Sequence, residues 1–167
     1  LTVTATSTDG ADTADTVDTI NVTVNAVADA PTLTVADATG NEDEAIALTV
    51  SSALTDASES LAITISGVPA GASLNNGTDN GDGSWSLTSA DLAGLTITPN
   101  SNDDSDFALT VTATSTDGAD TANTVDTINV TVNAVADAPT LTVADATGNE
   151  DEAIALTVSS ALTDASE

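Results

Sequence analysis

The strongest constraint on this chain is internal repetition. Residues 1–59 recur as residues 109–167, an offset of 108 residues, and the sole difference between the copies is Asp15 against Asn123. A period of this length is too long for a solenoid unit of about 20–50 residues and matches an independent sandwich domain of about 100 residues. The sequence therefore predicts separate domains joined end to end.

Apolar side chains alternate with polar ones in segment after segment, as in Leu109, Val111 and Ala113. This alternation is typical of strands with one buried face. We predict strands near 32–36, 45–50, 61–66, 72–75, 84–88, 94–98, 107–115 and 124–133, separated by turns rich in Gly, Asn, Asp and Pro. Thr39-Gly40-Asn41 is one of these predicted turns.

Seven or eight strands at this spacing predict an all-β fold, an immunoglobulin/cadherin-like Greek-key β-sandwich in tandem repeats of 108 residues. On this register residues 26–133 form one complete repeat. Residues 1–25 are the C-terminal strands of a preceding repeat, and 134–167 are a linker with the N-terminal strands of a following one. We interpret the chain as a window from a longer polymer of repeats.

The charge of the chain limits its partners. The chain has 27 acidic residues and no Lys, Arg or His, which gives a formal net charge of -27. Hydrophobic residues make up 40% of the chain, which is enough to form a core. Such a charge makes the compact state repel itself, and only bound or condensed cations can neutralise it. Nucleic acid and anionic membranes are excluded as partners, and the sequence has no apolar run long enough to insert into a membrane.

The residue inventory also argues against an enzyme. Without His, Cys, Lys, Tyr or Arg, only carboxylate chemistry such as that of a glycosidase pair is left. The lack of Cys removes disulfides and thiolate metal sites as well. Since near-identical repetition of a catalytic domain is implausible, we predict no enzymatic activity.

The carboxylates are expected to gather between repeats. Alternate loops of a Greek-key sandwich collect at opposite poles, so four acidic segments meet at each junction: the first loop, the loop before the penultimate strand, the exit linker and the second loop of the next repeat. Asp43 is the weakest candidate in its loop, because neighbouring residues point opposite ways. The candidate metal ligands are Asp29, Glu42, Glu44, Asp56, Glu59, Asp103, Asp104, Asp106, Asp137, Glu150, Glu152, Asp164 and Glu167.

Clustered carboxylates and carbonyls favour Ca²⁺, which takes about 6–8 oxygen ligands, whereas Mg²⁺ prefers to keep its waters. A divalent cation would turn the repulsion at a junction into a crosslink and would stiffen the chain. The alternative is that the acidic residues are solvated and serve only solubility. We expect this of Asp9, Asp12, Asp15, Asp117 and Asp120 in the last hairpin turn of each copy.

Several motifs resemble a known family. They are Val27-Ala28-Asp29-Ala30-Pro31, Asn41-Glu42-Asp43-Glu44-Ala45, Leu54-Thr55-Asp56-Ala57-Ser58-Glu59 and the stretch from Gly67-Val68-Pro69-Ala70-Gly71 to Ser84-Trp85-Ser86-Leu87. The chain is similar to the tandem extender domains of giant RTX-type adhesins, which type I secretion exports and which have cadherin-like calcium junctions. The resemblance implies a secreted, cell-surface protein whose partners are neighbouring repeats of the same chain.

The resemblance leaves the number of ions per junction open, because the linker is shorter than that of cadherins. We therefore expect a structural extender, the stalk of a bacterial surface adhesin, made rigid by calcium. One alternative is a ligand- or glycan-binding repeat, although sugar sites usually offer aromatic platforms and Trp85 is expected in the core. Another is a subunit of an extracellular filament or surface layer that self-associates laterally or head to tail.

Overall fold

The computed structural model describes residues 1–164, and its regular structure is almost entirely β. One short 3-10 turn, Ser89–Leu92, is the sole helical element of this described range. The strands in chain order are β1 (Thr2–Asp9), β2 (Asp12–Thr19), β3 (Thr32–Ala36), β4 (Ala38–Asn41), β5 (Ile46–Ala47), β6 (Thr49–Ala53), β7 (Ser60–Ser66), β8 (Ser73–Leu74), β9 (Thr78–Asp79), β10 (Ser84–Leu87), β11 (Thr96–Thr98), β12 (Phe107–Asp117), β13 (Asp120–Asn133), β14 (Thr140–Ala144) and β15 (Thr157–Ala161).

The largest sheet has six strands in the order β4-β13-β12-β7-β10-β9. Its centre is the long antiparallel hairpin of β12 and β13, which pairs from Phe107 with Val130 to Asp117 with Asp120. Only β4 runs parallel to its neighbour in this sheet, β13. A three-stranded sheet, β5-β11-β8, and a two-stranded sheet, β3-β6, complete the middle of the chain.

These sheets share one apolar core. Leu109, Val111 and Ala113 are fully buried on β12, whereas the intervening Thr110 is exposed, as the alternation in the sequence predicts. Ile46 of β5, Ile63 of β7, Leu74 of β8 and Ile97 of β11 belong to the same core. Sheets that bury one face against a common core are consistent with a β-sandwich.

Seven of the eight predicted segments each correspond to one strand, whereas the segment 45–50 is divided into β5 and β6, which belong to different sheets. The strands β4 and β9 were not expected. Sequence analysis assigned Thr39-Gly40-Asn41 to a turn, and the structure places these residues in a strand beside β13. Gly40 is there for close packing, since a Cβ at this position would lie 2.5 Å from Ile46 Cγ1. The glycine that suggests a turn thus allows a core side chain to approach the backbone.

The ends of the chain repeat the local pairing of the middle. The β1–β2 hairpin has the register of β12 and β13, and β14 pairs with β15 in the register of β3 and β6. Every residue of these four strands is exposed. Within residues 1–164, no helix has the length and apolar composition needed to cross a membrane.

Candidate metal centre at the repeat linker

Three carboxylates meet where the first linker, residues 26–30, enters the body of the repeat predicted over 26–133, which we call the middle repeat. Asp29, Asp56 and Glu59 each place one oxygen so that the three oxygens lie within 4.8 Å of one another. Over residues 1–164, this is the one group of three or more acidic side chains that is so close. We refer to Asp29, Asp56 and Glu59 as the linker site.

The backbone of Asp29 is fixed on two sides. Its N–H donates to Glu59 Oε1 at 2.7 Å, and its carbonyl accepts a hydrogen bond from the hydroxyl of Ser115 on β12. Ser115 is fully buried and continues the inward-facing series of Leu109, Val111 and Ala113. A serine at an inward-facing position of a strand needs a hydrogen-bond partner, and the linker carbonyl supplies it.

Asp56 is oriented by its own turn. Its Oδ1 accepts hydrogen bonds from the N–H and the hydroxyl of Ser58, both at 2.9 Å. These bonds favour the ionised carboxylate, so they lower the pKa of Asp56. Thr55 ties the same loop to the linker by donating its hydroxyl to the carbonyl of Ala30 at 2.8 Å.

Glu59 is the buried member of the linker site. The side chain is 7% exposed, and while Oε1 accepts from Asp29, Oε2 is buried without a hydrogen-bond partner. An uncompensated buried carboxylate oxygen is costly. The chain contains no Lys, Arg or His to pair with it. An oxygen-liganded divalent cation fits this donor set, because its two positive charges would offset most of the negative charge of the three carboxylates.

A second set of polar contacts lies where the chain leaves the middle repeat, and we call it the exit pole: Glu42, Asn102, Asp106 and Asp137. Glu42 is 2% exposed; its N–H donates to the carbonyl of Asn133, and its Oε1 accepts from the N–H of Val135 at 2.7 Å. Like Glu59, Glu42 has an Oε2 that is buried without a hydrogen-bond partner. Two buried glutamates thus flank the linkers, one from each end of the repeat.

Asn102 connects the exit pole to the second linker, residues 134–138. Its side-chain amide donates to Asp137 Oδ2 at 2.7 Å, and its N–H donates to Asp43 Oδ1 at 3.1 Å. Both Asp43 and Asn102 have left-handed backbone conformations, with φ of 59° and 56°. Asp and Asn tolerate this region better than most residues. Asp43 therefore helps to position the pole, although sequence analysis ranked it last in its loop.

The remaining candidates of the middle repeat do not form a group as close as the linker site. Glu44 is exposed beside Asn41, and Asp104 is exposed. Asp106 Oδ1 accepts from the N–H of Val132 at 2.9 Å. Asp103 is half-buried and accepts from the N–H of Ser105; the hydroxyl and then the amide of Ser105 lower the pKa of Asp103.

The candidates near the end of the chain fall into three groups. Asp164 is buried, with 3% exposure, and Asp137 is half-buried. Glu150 and Glu152 are exposed, and Asn149 donates its side-chain amide to Glu152. Glu167 lies outside the described residues.

Sequence analysis missed two residues that hold the first linker. Asp120 was expected to be solvated, but its Oδ2 accepts from the N–H of Ala28 at 3.0 Å. Ser115 was not singled out, although a polar residue in an inward-facing series is a visible signal. The hairpin turn of β12 and β13 therefore contacts the linker as well as solvent.

Trp85 is partly buried and packs against the core, as expected. It also borders a depression of about 410 Å³ together with Pro69, Asp79 and Asp82. Asp79 and Asp82 each accept hydrogen bonds within their own hairpin, from Gly81 and Ser84.

No family model, no curated protein and no solved structure matches the chain.

Proposed function

We propose that this chain is a structural extender: tandem β-sandwich repeats with an immunoglobulin/cadherin-like Greek-key arrangement, joined by short linkers that Ca²⁺ makes rigid. In this proposal the repeats form the stalk of a secreted, RTX-type bacterial adhesin and hold an adhesive region away from the cell surface. The role is mechanical, and no catalysis is assigned. The family resemblance of the linker and loop motifs supports this assignment together with the linker site.

The observation that carries the proposal is the buried Glu59 Oε2 beside Asp29 and Asp56. A solvated acidic surface would leave carboxylates in water, where they need no partner. Here one carboxylate oxygen is removed from water and no cationic side chain exists anywhere in the sequence. A bound cation supplies the missing partner, and the oxygen-only donor set selects Ca²⁺ over transition metals.

The contacts of the linkers support a mechanical role for this cation. The first linker is tied to the middle repeat through Asp29 and Ala28, and the second through Val135 and Asp137. In each of these four hydrogen bonds, the acceptor is a carboxylate oxygen. Neutralising those carboxylates would therefore hold linker and repeat in one orientation, whereas removing the cation would let them repel.

The test is to titrate the 167-residue chain with Ca²⁺ in a calorimeter and to measure thermal unfolding and small-angle scattering in Ca²⁺ and in excess chelator. We expect saturable binding, a higher Tm and a longer, less flexible particle in Ca²⁺. Mg²⁺ at equal ionic strength is the matched control and should reproduce little of the change. Equal Tm and scattering in Ca²⁺ and chelator would overturn the proposal and leave the acidic residues with a solubility role.

A further inference from the structure

The strand β4 connects the two ends of the middle repeat. Asp37 alone separates it from β3, the strand that follows the first linker, and it pairs in parallel with β13, the strand that leads into the second linker. The pairs run from Ala38 opposite Val130 to Asn41 opposite Asn133. Both strands therefore run side by side in the direction from the first linker to the second.

Carboxylates extend this pairing at both of its ends. Asp37 Oδ1 accepts from the backbone N–H of Asn129 at 2.8 Å and from its side-chain amide at 3.1 Å. At the other end, the N–H of Glu42 donates to the carbonyl of Asn133 at 3.0 Å, and Glu42 Oε1 accepts from the N–H of Val135 at 2.7 Å. Hydrogen bonds to carboxylates are among the stronger ones in proteins. The connection between the strands is thus longer than the four residue pairs of the ladder.

The strand β13 is also anchored to the body of the repeat. It pairs with β12 from Asp120 to Val130. Past Val130, the N–H of Val132 donates to Asp106 Oδ1 at 2.9 Å, and both valines are buried in the core. Since β13 is held in this way, a pull on the second linker is resisted where β13 meets β4.

A pull along the chain would load the contacts of β4 and β13 in shear. Tension on the first linker draws β3 and β4 toward the start of the repeat, whereas tension on the second linker draws β13 the opposite way. Because the two strands are parallel, these pulls act along the strands and in opposite directions. All hydrogen bonds between the strands are then strained together, whereas a pull across the strands would break them one after another.

The contacts that precede β4 take the load first. β3 pairs with β6 in a two-stranded sheet, from Thr32 to Ala36. The Thr124 hydroxyl of β13 donates to the carbonyl of Pro31 at 2.6 Å. Once these contacts part, the load passes through Asp37 to β4.

We propose that β4 and residues 129–135 form a load-bearing clamp, which we call the shear clamp, and that Asp37 and Glu42 fix its two ends. The proposal rests on the extender function, because a stalk is pulled along its length. It goes further in assigning the resistance of each repeat to force. The shear clamp consists of hydrogen bonds within one repeat and needs no calcium, whereas calcium acts on the orientation of the linkers.

The direction of pulling tests the shear clamp, and thiol handles can set this direction because the chain has no cysteine of its own. In Asn25→Cys/Ala136→Cys, a pull between the two thiols loads the clamp in shear. In the matched variant Glu44→Cys/Ala136→Cys, both thiols lie beside the same end of β4 and β13, so the pull peels the strands apart.

Single-molecule force spectroscopy in chelator compares the two directions. We expect a several-fold higher unfolding force in shear than in peeling. A released length of about 3.6 Å per residue verifies that the repeat was folded before each pull. Equal forces in the two directions would overturn the proposal.

The variant Asp37→Ala tests one end of the shear clamp. In shear it should raise the unfolding rate at a fixed load about tenfold, the effect of losing one hydrogen bond to a charged group. In peeling it should change the rate little, because Asp37 lies at the far end of the ladder and parts last. Asp126→Ala is the matched control and should change neither rate, since Asp126 is exposed on β13 and accepts from the N–H of its neighbour Thr127.

An equal effect of Asp37→Ala in both directions would show that Asp37 stabilises the fold without bearing load, and would refute its role in the clamp. The outcomes also separate the shear clamp from the calcium proposal. A higher force in shear, with equal Tm and scattering in Ca²⁺ and chelator, would support the clamp and refute calcium-stiffened linkers. A calcium effect on Tm and scattering, with equal forces in the two directions, would support the linkers and refute the clamp.

Discussion

The two linkers have the same sequence but different surroundings. Residues 26–30 and 134–138 both have the sequence Ala-Val-Ala-Asp-Ala. Asp56 and Asp164 are equivalent residues of the second loop after each linker. Asp56 is exposed, whereas Asp164 is 3% exposed. The second linker follows the strands β3 to β13, while the first follows only the β1–β2 hairpin. We expect the strands that precede the second linker to contribute to the burial of Asp164.

Each linker therefore shows one half of a junction. The first shows how the following repeat holds it, through Ser115 and Glu59. The second shows how the preceding repeat holds it, through Glu42 and Asn102. A junction between two whole repeats would combine both halves, with buried glutamates on either side of one linker aspartate.

The largest expected effect is at the linker site. Glu59→Gln removes the charge of the buried carboxylate but keeps an oxygen for the N–H of Asp29, so we expect Ca²⁺ affinity there to fall about tenfold or more, about 1.4 kcal/mol per tenfold. Calorimetric titration measures this. Asp15→Asn is the matched control, because the second copy already carries Asn123 at this position. Equal affinity in both variants would exclude Glu59 as a ligand.

The second prediction compares the two copies of one glutamate. Glu42 is 2% exposed and Glu150 is exposed. In chelator, Glu42→Gln should leave the free energy of unfolding unchanged or raise it by about 1–3 kcal/mol, because it removes an uncompensated buried charge. In Ca²⁺ the same variant should be less stable than the unmodified chain.

Denaturant unfolding in both buffers measures this reversal of sign. Glu150→Gln is the control and should change the unfolding free energy by less than about 0.5 kcal/mol in either buffer, as exposed substitutions do. A Glu42→Gln variant that loses stability equally with and without Ca²⁺ would show that Glu42 acts through its bond to Val135 alone.

The third prediction tests whether the preceding repeat matters. Asp164→Asn should lower the Ca²⁺-dependent gain in Tm more than Asp56→Asn does, because Asp164 is buried and Asp56 is exposed. Differential scanning calorimetry of the two single variants in Ca²⁺ and chelator makes the comparison. If Asp56→Asn has the larger effect, the neighbouring complete repeat does not strengthen the site.

Much of this could be predicted from the sequence, for a physical reason. Alternation reports which face of a strand is buried, so β12 and β13 were placed within a few residues. The parallel pairing of β4 with β13 was missed for two reasons. The paired residues are 92 positions apart in the sequence, and Gly40 in β4 is a residue type typical of turns. Local patterns carry no information about such distant pairing.

The candidate site also has features that the sequence predicts and features that it does not. The acidic loops were predicted, and Asp29, Asp56 and Glu59 do come together. Which carboxylate of the first loop is buried was not predictable, since the left-handed conformation of Asp43 turns the chain and separates Glu42 from Glu44. The buried Oε2 atoms of Glu42 and Glu59 follow from packing, which sequence spacing does not specify.

The smallest expected effects concern the local turns. The hydroxyl and then the amide of Ser84 lower the pKa of Asp82, whereas for Asp56 the amide of Ser58 contributes more than its hydroxyl. The Ser84 hydroxyl also lies nearer to Asp82 Oδ1, at 2.6 Å, than the Ser58 hydroxyl lies to Asp56 Oδ1, at 2.9 Å. We therefore expect Ser84→Ala to raise the pKa of Asp82 more than Ser58→Ala raises that of Asp56. Titration of the side-chain carboxyl carbons by NMR measures both.

The sign of the linked stability follows from these directions. A pKa below the ordinary value of 3.8 means that the Ser84 contact stabilises the fold above that pH, and that the contribution is lost as the pH falls through the lowered value. Ser84→Ala should thus be less stable than the unmodified chain at neutral pH and should converge with it in stronger acid. A constant difference at every pH would assign the effect to packing of the serine and not to the charge of Asp82.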